Sequence, residues 1–133
     1  MALAELGEGK ALEPAIQALG HESSHTRREA AAALGILGDP AAVPPLAAML
    51  QNRKELSQTR DVAARALGRI GGPSVVPPLI AACRLRYPNV NHAAEAALLQ
   101  VGQAAVPALS EFTRKGDSNT RHWAMAMIDR IKR

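Results

Sequence analysis

Apolar residues recur at three- and four-residue steps along almost the whole chain. In one set of segments the stripes are Ala30, Ala33, Leu34 and Leu37, then Ala63, Ala66, Leu67 and Ile70, then Ala94, Ala97, Leu98 and Val101, and finally Ala124, Met127, Ile128 and Ile131. That spacing lines one face of an α-helix. A second set follows prolines. Two residues past Pro14, Pro44, Pro77 and Pro107 come Ile16, Leu46, Leu79 and Leu109, and five past come Leu19, Met49, Ala82 and Phe112. The pattern predicts a Pro-led first helix near residues 11–20, 41–51, 74–86 and 104–114, each followed by an Ala-rich second helix near 25–38, 57–71, 89–101 and 118–132. No alternating β-pattern competes with it.

The alternation is an internal repeat. The segment from Thr26 to Gly38, TRREAAAALGILG, matches the segment from Thr59 to Gly71, TRDVAARALGRIG, and residues 90–102 and 120–132 follow the same register more loosely. Gly7, Gly38, Gly71 and Gly102 close successive units at intervals of 31, 33 and 31 residues, and glycine suits a left-handed C-cap. Asp39 before Pro40 predicts an N-cap followed by a first-turn proline, an arrangement that Gly72-Pro73 repeats more weakly. Residues 30–50 carry only Asp39 as a charge and are long enough to cross a bilayer. Pro40, Pro44, Pro45 and the Gly35/Gly38 pair break that stretch, so a helix–turn–helix explains it better.

Units of the form AAVPPLAAML followed by TRDVAARALGRIG resemble short HEAT repeats of the kind first described in phycobilisome lyases. The series expected of tetratricopeptide or ankyrin units is absent. The resemblance implies an all-α, right-handed α-solenoid of four helix pairs, at about 8–38, 39–71, 72–102 and 103–133. Residues 1–7 read as the remnant of a preceding helix or an N-terminal cap. Three departures stand out: Asn91 replaces the repeated arginine, Leu99 replaces the glycine after leucine, and Lys132 stands where a closing glycine would.

Composition narrows the chemistry. The chain has 27 alanines but one Trp, one Tyr and one Phe, which excludes functions built on rows of stacking aromatics. A lone cysteine, Cys83, forms no internal disulfide and no zinc site. It falls in a small-residue row of a first helix and reads as packing. His21-Glu22 is similar to the His-Glu pairs with which HEAT-like deoxyhypusine hydroxylases hold iron, but a single pair in a turn leaves metal binding unexpected. Arg27, Arg60 and Arg121 share one repeat position. The resemblance implies that they pair within or between units.

The resemblance also implies that second helices line a concave, partner-binding face. On that face the sequence places Arg28, Asp61, His92 and His122 in one row, Arg65 in the next, and Arg69, Gln100 and Arg130 in a third, over a floor of alanines. His92 and His122 share one row on neighbouring units, which would make a pH-sensitive patch. Trp123 and Met125 stand where other units carry smaller or charged residues, as a hydrophobic anchor or a cap over the last pair. The net charge of +4 divides into −1 over residues 1–66 (7 basic, 8 acidic) and +5 over residues 67–133 (9 basic, 4 acidic). The expected function is a non-catalytic, cytoplasmic protein-interaction scaffold with an acidic protein partner, no cofactor, no metal and no membrane. A bilin lyase-like component and nucleic-acid binding are the alternatives, the latter because HEAT-like alkylpurine DNA glycosylases use the architecture.

Overall fold

The computed structural model describes residues 8–84 and 87–133. Among them eight α-helices follow in order: α1 Glu8–Ala18, α2 Ser24–Leu37, α3 Val43–Gln51, α4 Ser57–Ile70, α5 Val76–Cys83, α6 Pro88–Val101, α7 Val106–Lys115 and α8 Ser118–Lys132. Short 3₁₀ turns at Pro40–Ala42, Pro73–Val75 and Gly102–Ala105 lead into α3, α5 and α7. The described residues contain no strand. The cap or helix remnant expected over residues 1–7 lies outside the described residues, as do Leu85 and Arg86 at the expected end of the third first helix.

The boundaries follow local chemistry. Asp39 accepts from the Ala41 amide at 2.9 Å, as its position before Pro40 predicts, but it caps a 3₁₀ turn, and α3 begins four residues later. A proline stands at the first position of α6 and at the second position of α3, α5 and α7, where a missing N–H costs nothing. Pro14 instead falls inside α1, which starts three residues earlier than expected. Ser23 and Asp117 cap α2 and α8 by accepting from the amides of Thr26 and Thr120. Gly38 closes α2 in the left-handed conformation, whereas Gly71 and Gly102 share its positive φ of about 70° but turn to ψ −169° and −130°. Those two glycines therefore redirect the chain without forming the expected left-handed cap.

Each first helix packs on the second helix that follows it, and α4 packs extensively on both α2 and α6. The buried leucines of the stripes, Leu34, Leu46, Leu67, Leu79, Leu98 and Leu109, are all fully covered and join one continuous core. Alanines fill much of the rest, because the second helices come very close. A Cβ added at Gly35 would lie 2.9 Å from the Ala66 Cα, and one at Gly68 would lie 2.9 Å from the Ala97 Cβ. The repeated Leu-Gly is thus a helix-contact signature. On the other side α3 and α5 touch sparingly, and a hollow of about 610 Å³ opens between them. A stack spaced closely on one side and widely on the other bends toward the close side, so the second helices face inward.

Two substitutions test this packing. Replacing Leu67 by Ala is expected to cost about 2–5 kcal/mol for a fully buried leucine. Replacing Gly68 by Ala gains about 1 kcal/mol of helix propensity but overpacks against the Ala97 backbone at a cost of about 1–3 kcal/mol, so urea denaturation should show a net loss. A stabilised Gly68→Ala protein would disprove the close approach.

Candidate partner-binding groove

The inward face of the second helices carries a groove of about 200 Å³ lined by Ala32, Val62, Arg65, Ala66 and Arg69. Its form follows from the glycine contacts. With no side chain at Gly35, the stem of Arg69 lies across it, the Arg69 Cδ 3.5 Å from where a Cβ would be. Gln100 covers Gly68 in the same way, its Oε1 3.1 Å from the corresponding point. The second and third units so lay a polar side chain over the bare backbone of the unit before. Arg65 and Arg69 are exposed, as are the floor residue Ala32 and, unusually for its size, Ile36, at 63%.

Most of the sequence-predicted residues are exposed or half-buried on this face. Arg28 donates to the Gln58 Oε1 at 3.2 Å, tying α2 to α4. Asp61 pairs with Arg65 one turn along α4, at 3.1 Å. Among the described residues Arg69 meets no carboxylate within ion-pair distance. On α6, His92 and Gln100 are exposed. Arg130 on α8 reaches back to Glu95 on α6 at 3.5 Å. His122 is exposed on α8, and its Nδ1 lies 2.8 Å from the Ser118 carbonyl of its own helix; since a carbonyl only accepts, Nδ1 carries the proton. Met125 is 58% exposed. Trp123 is half-buried and faces the preceding pair, lining a cleft with Cys83, Arg84, Asn119 and Thr120. It lines the joint between the third and fourth pairs.

The repeated arginines lie at one edge of the stack. Arg27 makes a bidentate pair with Glu55 in the next unit's turn, both bonds 2.9 Å, and donates to the carbonyls of His21 and Glu22 in its own turn. Arg60 is almost wholly buried, donates through Nε to the Leu50 carbonyl at 2.7 Å, and lies 4.9 Å from the ring centroid of Tyr87 in the next turn. Arg27 and Arg60 therefore clamp two successive turns together. Arg121 is exposed. The hydrogen bonds from Arg27 hold the Glu55 carboxyl below its ordinary 4.5, against the opposing effect of burial.

Burial pushes the Cys83 thiol up to about 12, with a smaller contribution from Glu95. A thiol so shifted is a poor nucleophile. Among the described residues no three His, Cys, Asp or Glu side chains gather as a metal site, and the His21 Nδ1 accepts from the Ser23 amide. The large hollow on the outer side, between Pro40, Val43, Pro44 and Ala47 of one unit and Pro77 and Pro78 of the next, was not anticipated. Its signal was present in the duplicated Val-Pro-Pro at 43–45 and 76–78.

A family model for HEAT repeats matches residues 1–56 and 53–128. The chain belongs to the HEAT-repeat family. The helix pairs, their stacking through the second helices and the all-α solenoid are those of HEAT repeats, which commonly serve as protein-interaction scaffolds. No curated protein matches the chain. Among the described residues no helix is long and apolar enough to cross a membrane.

The Arg27–Glu55 clamp generates a pH prediction. Because the folded-state pKa of Glu55 is lowered, its contribution is complete above the ordinary value of 4.5 and is lost as the pH falls through the lowered one. Melting temperature should therefore drop more steeply on acidification below 4.5 in the wild-type HEAT protein than in Glu55→Gln, as followed by circular dichroism. Parallel profiles would mean the carboxylate is not held by Arg27.

Proposed function

We propose that this HEAT-repeat protein is a non-catalytic scaffold that binds an acidic protein segment across its second helices. The observation carrying this reading is the groove over α2 and α4, where Arg69 lies across Gly35 and, among the described residues, meets no carboxylate, and where Arg65 makes a surface pair with Asp61. Exposed guanidinium groups offer planar, bidentate recognition of carboxylates. The alanine and glycine floor lets a partner backbone approach, and Ile36 adds an apolar contact at the rim. Arg28, Asp61, His92 and Gln100 extend the same surface, with His122, Met125 and Arg130 beyond α6. Trp123, turned into the cleft at the last joint, is left out of the contact surface.

The reading is tested by reversing charge at the groove. Arg65→Glu/Arg69→Glu should abolish capture of the protein partner from nuclease-treated lysate while leaving the far-UV spectrum and melting temperature nearly unchanged, since exposed ion pairs contribute about 0–1 kcal/mol. Undiminished capture would remove these arginines from the site. Recovery that disappears with nuclease and falls steeply with salt would favour a nucleic-acid ligand instead.

A further inference from the structure

Two devices hold the first three helix pairs together, and both are replaced at the third joint. The first is the close contact of small residues between consecutive second helices, Gly35 against Ala66 and Gly68 against Ala97. The equivalent register positions between α6 and α8 are Leu99 and Met127. Side chains of that size keep two helix backbones apart. Accordingly α6 and α8 touch sparsely, whereas α4 packs extensively on both α2 and α6. The second device is the arginine clamp, made by Arg27 and Arg60. In α6 that position is Asn91, too short to reach the next turn, and its buried Oδ1 has no partner.

Across the joint itself one arginine contact remains, the exposed Arg84 guanidinium 5.5 Å from the ring centroid of Phe112 on α7, and the other links are of a different kind. The 3₁₀ turn Gly102–Ala105 touches α6, α7 and α8 and links the two pairs covalently, starting from a glycine at φ 72° that other residues rarely adopt. The cleft of Cys83, Arg84, Asn119, Thr120 and Trp123, about 230 Å³, separates the end of α5 from the start of α8. One ion pair crosses from α6 to α8, Glu95 with Arg130, and both partners are partly exposed. Within the fourth pair, by contrast, α7 and α8 pack extensively on each other. The arm is firm, and it is attached through side chains, Leu109, Ala124 and Met127 buried in the shared core, without the close backbone approach of the earlier joints.

We propose that the joint between the third and fourth helix pairs is a hinge, about which α7 and α8 turn as one rigid arm from Gly102, with the Glu95–Arg130 pair as its latch. Turning the arm opens the cleft beside Cys83 and carries His122, Met125 and Arg130 away from the surface formed by α2, α4 and α6. A partner carboxylate that captures Arg130 releases Glu95 and frees the arm, so this hinge would couple occupancy of the inner face to its shape. The hinge itself stands on the packing of the joint and does not rest on the scaffold reading.

The protein's single cysteine provides the test. Alkylation of Cys83 in the full chain by iodoacetamide is followed by mass spectrometry over a urea series, beside peptide-resolved amide exchange and global unfolding by circular dichroism. Cys83 is half-buried in the closed arrangement, and rotation of a folded arm raises its alkylation above that baseline while α7 and α8 keep their hydrogen bonds. The opening seen by alkylation should thus exceed that seen by α7 and α8 amides by at least about tenfold, with a urea slope below about half the global one. Arg130→Gln should raise opening about twofold to fivefold, the range for an exposed pair, and ~0.5 M NaCl should do the same in the wild type. Alkylation that coincides with exchange of the α8 amides would show that the arm melts instead of turning, and alkylation only on global unfolding would show a rigid joint. Either result overturns the hinge, and an unchanged rate in Arg130→Gln overturns the latch.

Discussion

The closeness of consecutive second helices at Gly35 and Gly68 is the constraint on which the rest of the structure depends. It sets the spacing of the inner layer below what any side chain larger than hydrogen would permit at those two points. It also explains the alanine content, since Ala66 and Ala97 are the residues opposed. Because the outer layer is spaced by Val-Pro-Pro segments and a hollow, the stack bends inward. The groove floor is bare for the same reason, and long polar side chains from one unit rest on the backbone of another. Packing and surface chemistry here are two results of one steric choice.

The edge of the stack obeys a different logic. Arg60 takes a guanidinium out of water with one carbonyl bond, one aromatic face and a terminal nitrogen lacking a partner. Burying a charge so incompletely satisfied is unfavourable in isolation. Arg27 solves the same geometric task with a bidentate carboxylate and two carbonyls. The two solutions at one repeat position show that the fold requires the long reach of arginine across two turns, while the partner that meets it is left to each unit.

Much of this architecture was legible in the sequence, because helical periodicity, proline placement and the repeated glycine each have a direct local cause. The boundaries of α2, α4, α6 and α8 agree with the stripes to within about one residue. Other features were not legible. The 3₁₀ turns ahead of α3, α5 and α7 depend on hydrogen bonds that the Asp-Pro and Gly-Pro signals do not distinguish from an α-helical start. The inward turn of Trp123 depends on the third pair, which its own repeat register cannot describe. The departures Asn91 and Leu99 were visible as irregularities, but their meaning required seeing what Arg60 and Gly68 do in the neighbouring unit. For the groove residues, helical periodicity set the rows, whereas the contacts among them follow from how closely the second helices stack.

Trp123 carries a practical consequence. It is the only tryptophan, and it lies against Cys83 and Arg84 at the last joint, far along the stack from the contacts of α2 with α4. Intrinsic fluorescence therefore samples the environment of the fourth pair and is nearly blind to the first two. An emission-based melting curve of this chain reports a local event, and its agreement or disagreement with a backbone-based curve measures how far the array behaves as one cooperative unit.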